Sequence, residues 1–117
     1  MIAKKIISII IALVFSSASS ASEKTVHCLI ESNGNSPYKG NCLFLREKGG
    51  SFTLRSIDKL KPILEQISNI SIYIIEKDVA EVRGLTLDGI NSRWGNAKRS
   101  SKDTACWVGG DFKICVW

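Results

Sequence analysis

The chain has 117 residues, of which 44% are hydrophobic and 23% are charged, and it contains two prolines and nine glycines. These fractions are typical of globular proteins and exclude a disordered, collagen-like or coiled-coil chain. The length accommodates one domain. A core this small is marginal without covalent support, which the four cysteines can supply.

The N-terminal segment has the three-part pattern of a secretory signal. Lys4 and Lys5 precede an apolar run over residues 6–15, and small residues follow up to Ala21. The apolar run spans only about half of a bilayer's hydrocarbon core as a helix, which disfavours a membrane anchor. We predict a cleaved signal peptide over residues 1–21 and a single domain over residues 22–117, periplasmic or secreted, with no stable membrane anchor after cleavage.

Strand patterns fill most of the predicted domain. The β-rich segments 25–30 and 42–45 are separated by a dense run of turn residues, and Gly49-Gly50 precedes another short strand over residues 51–55. Further along, residues 70–75 and 79–86 predict a second hairpin, which turns at Lys77-Asp78.

One segment between these hairpins has helical spacing instead. Its apolar residues recur at i, i+3, i+4 and i+7: Leu60, Ile63, Leu64 and Ile67. Asp58 is placed as an N-cap, and Pro62 is tolerated only in a first turn, so the predicted helix is short and runs from Lys59 or Lys61 to Ser68. The predicted fold is therefore α+β or mainly β: a small antiparallel sheet of hairpins with one short helix packed on it.

The cysteines predict two disulfides that brace this sheet. In an oxidising compartment Cys28, Cys42, Cys106 and Cys115 should pair, with three formal connectivities. A two-residue turn at Gly110-Asp111 sets Cys106 opposite Cys115 at disulfide distance, which leaves Cys28 to pair with Cys42. A four-cysteine zinc site is the alternative, but the chain has no Cys-x-x-Cys and export disfavours it. We expect no metal.

The positive charge lies in the last third of the chain. Residues 22–82 hold eight basic and eight acidic side chains, whereas residues 83–117 hold six basic and three acidic ones together with all three tryptophans. Arginine offers a planar fork to anions, and tryptophan offers a large rigid face. We predict that Arg93, Trp94, Arg99 and Trp107 form an anion-accepting recognition surface.

A structural role for these residues is the open alternative. Trp94 and Trp107 would then belong to the core, and Arg93 would pair internally with Asp88 or Asp103.

The same region carries a resemblance. Its elements are Ala80-Glu81-Val82-Arg83-Gly84-Leu85-Thr86, Gly89, Asn91-Ser92-Arg93-Trp94-Gly95, Arg99-Ser100, Asp103, Ala105-Cys106-Trp107, Asp111-Phe112 and Cys115. These residues resemble a family of small, uncharacterised exported proteins of Gram-negative bacteria. The resemblance covers residues 80–115, implies a periplasmic location and implies no activity.

Enzyme chemistry finds little support in the sequence. The single histidine, His27, lies beside a cysteine that is expected to be paired, so a nucleophile and base pair is disfavoured. Asp88, Asp103 and Asp111 could supply an acid and a base for glycan cleavage, but solvated turn aspartates explain them more simply. We expect no catalytic residue and no cofactor.

The sequence therefore favours an exported binding or inhibitory module, whose small disulfide-braced plan resembles that of exported inhibitors and immunity proteins. Its partner would be anionic: an acidic protein, a glycan or a lipid head group in the envelope. A structural envelope component is the alternative, followed by a small glycan-acting enzyme. Nucleic acid is not expected as a partner of an exported protein.

Overall fold

Eight antiparallel strands form a closed barrel in the computed structural model, which describes residues 23–117. Each strand pairs with its neighbours in the chain, and β8 closes the barrel by pairing with β1. The strands are β1 (Glu23–Ser32), β2 (Tyr38–Arg46), β3 (Phe52–Arg55), β4 (Ile67–Glu76), β5 (Val79–Thr86), β6 (Asn91–Arg99), β7 (Cys106–Val108) and β8 (Phe112–Val116). The signal peptide predicted for residues 1–21 lies outside the described residues.

The core fills the interior of the barrel. Successive side chains of a strand point to opposite faces, so every second residue of each strand faces inward. The largest side chains that are fully buried come from five different strands: Ile30, Leu54, Ile70, Ile72, Val82 and Ile114. No helix within residues 23–117 is long and apolar enough to span a membrane.

The predicted fold class is wrong in two respects: the sheet is closed, and the helix is absent. A 3-10 turn at Lys48–Gly50 is the only helical element among residues 23–117. Residues 56–66 form a loop of turns, and Ile67 begins β4. Asp58 Oδ1 accepts a hydrogen bond from the backbone N–H of Leu60 at 2.9 Å, which closes a local turn instead of capping a helix.

The helical spacing had another cause. Ile63, Leu64 and Ile67 are buried because the loop folds over one end of the barrel, while Leu60 is 94% exposed. Pro62 lies in the middle of this segment, where it lacks a backbone donor and disfavours helical geometry at the residue before it. Two buried loop residues and the first residue of β4 thus reproduced a helical pattern without a helix.

Both predicted disulfides are confirmed. Cys106 lies directly opposite Cys115 in the β7–β8 hairpin, with their Cα atoms 4.0 Å apart. Cys28 and Cys42 join β1 to β2 diagonally, with a Cα separation of 6.0 Å, and both are fully buried in the core. The two bonds suggest an oxidising, extracytoplasmic environment.

The loop over the barrel end gives the first prediction. Leu64→Ala removes a buried side chain of this loop and should lower the free energy of unfolding by about 2–5 kcal/mol. Leu60→Ala, on the same loop but in solvent, should change it by less than about 0.5 kcal/mol. Urea unfolding of the oxidised domain measures both values, and equal effects of the two substitutions would contradict the burial of Leu64.

Candidate functional site

The two ends of the barrel differ. Residues 56–66 cover the end where β3 ends and β4 begins, and Ile63 and Leu64 are buried there. The opposite end, where β1 begins and β8 ends, holds a cavity of about 290 Å³. We call this end the terminal mouth; its main lining residues are Lys24, Val26, Phe44, Phe52, Arg99, Trp107 and Trp117.

Arg99 lies over a buried indole at the terminal mouth. Its Cζ is 4.5 Å from the ring centroid of Trp107, and Trp107 is only 3% exposed. Ala97 faces the core two residues earlier, and strand alternation therefore brings Arg99 to the same inner side. Stacking of a guanidinium on an indole is favourable, and more so where water is partly excluded.

Further contacts fix the plane of this guanidinium. Arg99 Nε donates to Asp78 Oδ1 at 3.1 Å, and Nη1 donates to the backbone oxygen of Thr104 at 2.8 Å. Arg99 Nη2 makes no hydrogen bond to any of residues 23–117. Two of the three guanidinium nitrogens are therefore held by the protein, while the N–H groups of Nη2 can donate to an external anion.

Aromatic rings and a second cation complete the terminal mouth. Phe44 and Phe52 stack with their ring centroids 4.9 Å apart, and Lys24 Nζ lies 6.0 Å from the Phe44 ring. Trp117 is half exposed and donates its Nε1–H to Asp103 Oδ2 at 3.2 Å. The cavity thus has apolar walls and two cations among its lining residues.

Trp94 lies outside the terminal mouth. It belongs to β6, and its ring packs in the barrel wall against β5 and β8. The pairing of β5 with β6 shifts between Val82 and Arg83, because Val82 faces Gly95 whereas Arg83 faces Arg93. Trp94 is the extra residue of this bulge, and its ring contacts the edge of Phe112 at a centroid distance of 5.7 Å. The ring packs against the core cluster and is half-buried.

Arg93 lies on the outer wall of the barrel. Its Nε donates to Glu81 Oε2 at 2.6 Å and its Nη2 donates to Asn96 Oδ1 at 3.1 Å. Arg83 contacts the same carboxylate at 3.4 Å. The hydrogen bond from Arg93, and then that from Arg83, hold the pKa of Glu81 below its ordinary value. Arg93 pairs with neither Asp88 nor Asp103.

The structure thus brings together two of the four predicted binding residues, Arg99 and Trp107. Arg93 lies about 20 Å away along β6, as six extended residues imply. Sequence reasoning missed Lys24 and Asp78 as parts of the site. Lys24 could have been predicted, because alternate residues of a strand share a face and Lys24 lies two positions before Val26 and four before Cys28.

The residues considered for catalysis do not converge. Asp88 and Asp111 lie in turns at the opposite end of the barrel from Asp103, which bonds Trp117 and the Ala105 N–H. His27 is exposed, with its ring 5.7 Å from that of Trp117. Within residues 23–117, no group of three or more potential ligands could hold a metal ion.

Comparison with known proteins adds no relative. No family model, no curated protein and no solved structure matches the chain. The resemblance of residues 80–115 to small exported proteins stays a prediction, and the site must be interpreted from its own geometry.

The packing of Trp94 gives a second prediction. A Cβ on Gly84 would lie 2.8 Å from Trp94 Nε1 and 3.1 Å from Cε2, which is too close for a rigid ring. Gly84→Ala should therefore destabilise the domain by about 1–3 kcal/mol through overpacking. Adding Trp94→Phe, which shortens the ring system, should recover part of this loss. Unaltered stability of Gly84→Ala in urea would contradict the contact.

The ion cluster on the outer wall gives a third prediction. Because the pKa of Glu81 is lowered in the folded state, its stabilising effect is complete above the unfolded pKa and is lost as the pH falls through the folded value. Glu81→Gln should be less stable than the parent protein at pH 7, and the difference should shrink below about pH 4. Urea unfolding at pH 7, 5 and 3 measures this; a difference independent of pH would contradict it.

Proposed function

We propose that this protein is an exported binding or inhibitory module, periplasmic or secreted, whose terminal mouth accepts an anionic group of its partner. The supporting observation is the guanidinium of Arg99, which is held over Trp107 by Asp78 and Thr104 and has no hydrogen bond from Nη2 within residues 23–117. The partner would be an acidic protein, a glycan or an anionic lipid head group.

The charge distribution supports an anionic partner. Residues 23–117 contain 14 basic and 11 acidic side chains, an excess of +3 that attracts anions at long range. Lys24 forms no ion pair with any of the described residues, so the terminal mouth retains one cation without a carboxylate beside it. Long-range attraction would raise the rate of encounter, and Arg99 would fix the contact.

Binding fits the terminal mouth better than catalysis. The carboxylates near the cavity, Asp78 and Asp103, already accept hydrogen bonds from Arg99, Ala105 and Trp117. An acid and base pair would need carboxyl groups that face the substrate. A structural role in the envelope is the second candidate and would leave Arg99 without an external ligand.

The fourth prediction tests this proposal with a matched pair of variants on one strand. Immobilised oxidised domain would be exposed to polyglutamate, to polygalacturonate and to phosphatidylglycerol vesicles, with polyglutamine, dextran and phosphatidylcholine vesicles as neutral counterparts. At least one anionic probe should bind, and Arg99→Gln should weaken it at least about tenfold, the equivalent of about 1.4 kcal/mol.

The control is Arg93→Gln, which removes the same charge from the outer wall. Arg93→Gln should change the affinity for the anionic probe by less than about twofold. Both substitutions lower the net charge of the domain by one, but only Arg99→Gln removes a contact at the terminal mouth. Melting temperatures of both variants show whether the fold is intact. If no anionic probe binds the parent protein, or if the two substitutions weaken binding equally, the proposal is wrong.

A further inference from the structure

The walls of the cavity restrict what can enter the terminal mouth. Apart from its two cations, the cavity is lined mainly by apolar side chains: Val26, Phe44, Phe52, Trp107 and Val116. A sugar placed there would lose hydrogen bonds to water, and few side-chain acceptors would replace them. The walls therefore favour an apolar group over a polyol.

The volume restricts the group further. At about 290 Å³ the cavity lies at the lower limit of small-molecule sites, which span roughly 300–1,000 Å³. One aromatic or branched side chain fits within this space. A phosphate head group alone would leave the stacked rings of Phe44 and Phe52 uncovered.

The cations determine what must accompany the apolar group. Lys24 Nζ has no carboxylate partner among residues 23–117, and Arg99 pairs with Asp78 through Nε while its Nη2 makes no hydrogen bond to those residues. A carboxylate next to the inserted side chain could pair with either one. Tryptophan and arginine are also the residues that dominate binding energy in desolvated pockets of protein interfaces.

Resting on the proposed function, we infer that the terminal mouth binds an acidic polypeptide, which inserts one apolar side chain into the cavity and places a neighbouring carboxylate against Arg99 and Lys24. The inserted side chain supplies burial of apolar surface, and the carboxylate supplies orientation. An apolar side chain alone would leave the two cations without an anion, and a carboxylate alone would leave the apolar walls uncovered.

Three short peptides separate the two contributions. The first is an acetylated, amidated tripeptide with phenylalanine between two glutamates; in the second, alanine replaces phenylalanine, and in the third, glutamine replaces both glutamates. Binding to the oxidised, ¹⁵N-labelled domain is followed through the three tryptophan indole N–H signals. Trp107 and Trp117 line the cavity, while Trp94 lies in the wall and serves as an internal control.

The first peptide should shift the Trp107 and Trp117 signals and leave that of Trp94 unchanged. The alanine and glutamine peptides should each bind at least about tenfold more weakly. The Lys24→Gln and Arg99→Gln variants should reduce the preference for glutamate over glutamine, whereas Arg93→Gln should preserve it. A melting temperature near that of the parent protein shows that each variant folds.

Other outcomes distinguish this inference from the proposed function. Equal binding of the alanine peptide, equal binding of the glutamine peptide, or a shift confined to Trp94 would overturn the inference. Failure of all three peptides, with retained binding of polygalacturonate or phosphatidylglycerol vesicles, would overturn it and leave the proposed function standing. Failure of every peptide and every anionic probe would overturn both.

Discussion

Closure of the barrel is the constraint from which the rest of the structure follows. Pairing of β8 with β1 removes the exposed sheet edges that a hairpin sheet of this length would present. Closure also creates an interior that must be filled, and the inward residues of eight short strands fill it. The Cys28–Cys42 bond is part of that filling, so its sulfur atoms contribute to the core as well as to the covalent frame. A domain of this size has few other means of reaching adequate stability.

The weakest part of the closure is the contact between β6 and β7. Only two residue pairs join these strands, Lys98 with Val108 and Arg99 with Trp107. Along the rest of β6, side-chain packing supports the barrel wall. The Trp94 ring contacts Gly84 on one side and Phe112 on the other. Several residues of segment 80–115, on which the predicted resemblance rests, therefore have a structural explanation. Gly84 accommodates the ring, and Gly95, at a φ of +124°, permits the bulge that turns Trp94 inward.

Local interactions were predictable from the sequence, and non-local ones were not. The Cys106–Cys115 bond followed from the geometry of a two-residue turn, and the hairpin of β4 and β5 followed from alternation. Closure depends on pairing between the first and last strands, and no local pattern encodes that contact. The helix was a false inference because Ile63, Leu64 and Ile67 are buried by the end of the barrel, which the sequence alone does not reveal.

The candidate site shows the same division. Arg99 and Trp107 are neighbours because two strands pair there, whereas Arg93 lies six residues away along β6 and, beyond the bulge at Trp94, on the outer face. A one-residue bulge reverses which side of a strand faces inward, and a composition argument cannot detect it.

The placement of Arg99 relates the fold to the proposed function. Arg99 lies at the rim of the core with its side chain 38% exposed, and the exposed carboxylate of Asp78 partly balances its charge from the β4–β5 turn. This compensation is incomplete, because Asp78 accepts from Nε and Thr104 accepts from Nη1, whereas Nη2 has no partner in the described residues. Trp107 beneath the guanidinium restricts its rotation. A ligand carboxylate would therefore meet a donor whose orientation is already fixed, and little side-chain entropy would be lost on binding. Arg93 is also held by two hydrogen bonds, from Nε to Glu81 and from Nη2 to Asn96, but it lies on the outer wall and does not line the apolar cavity.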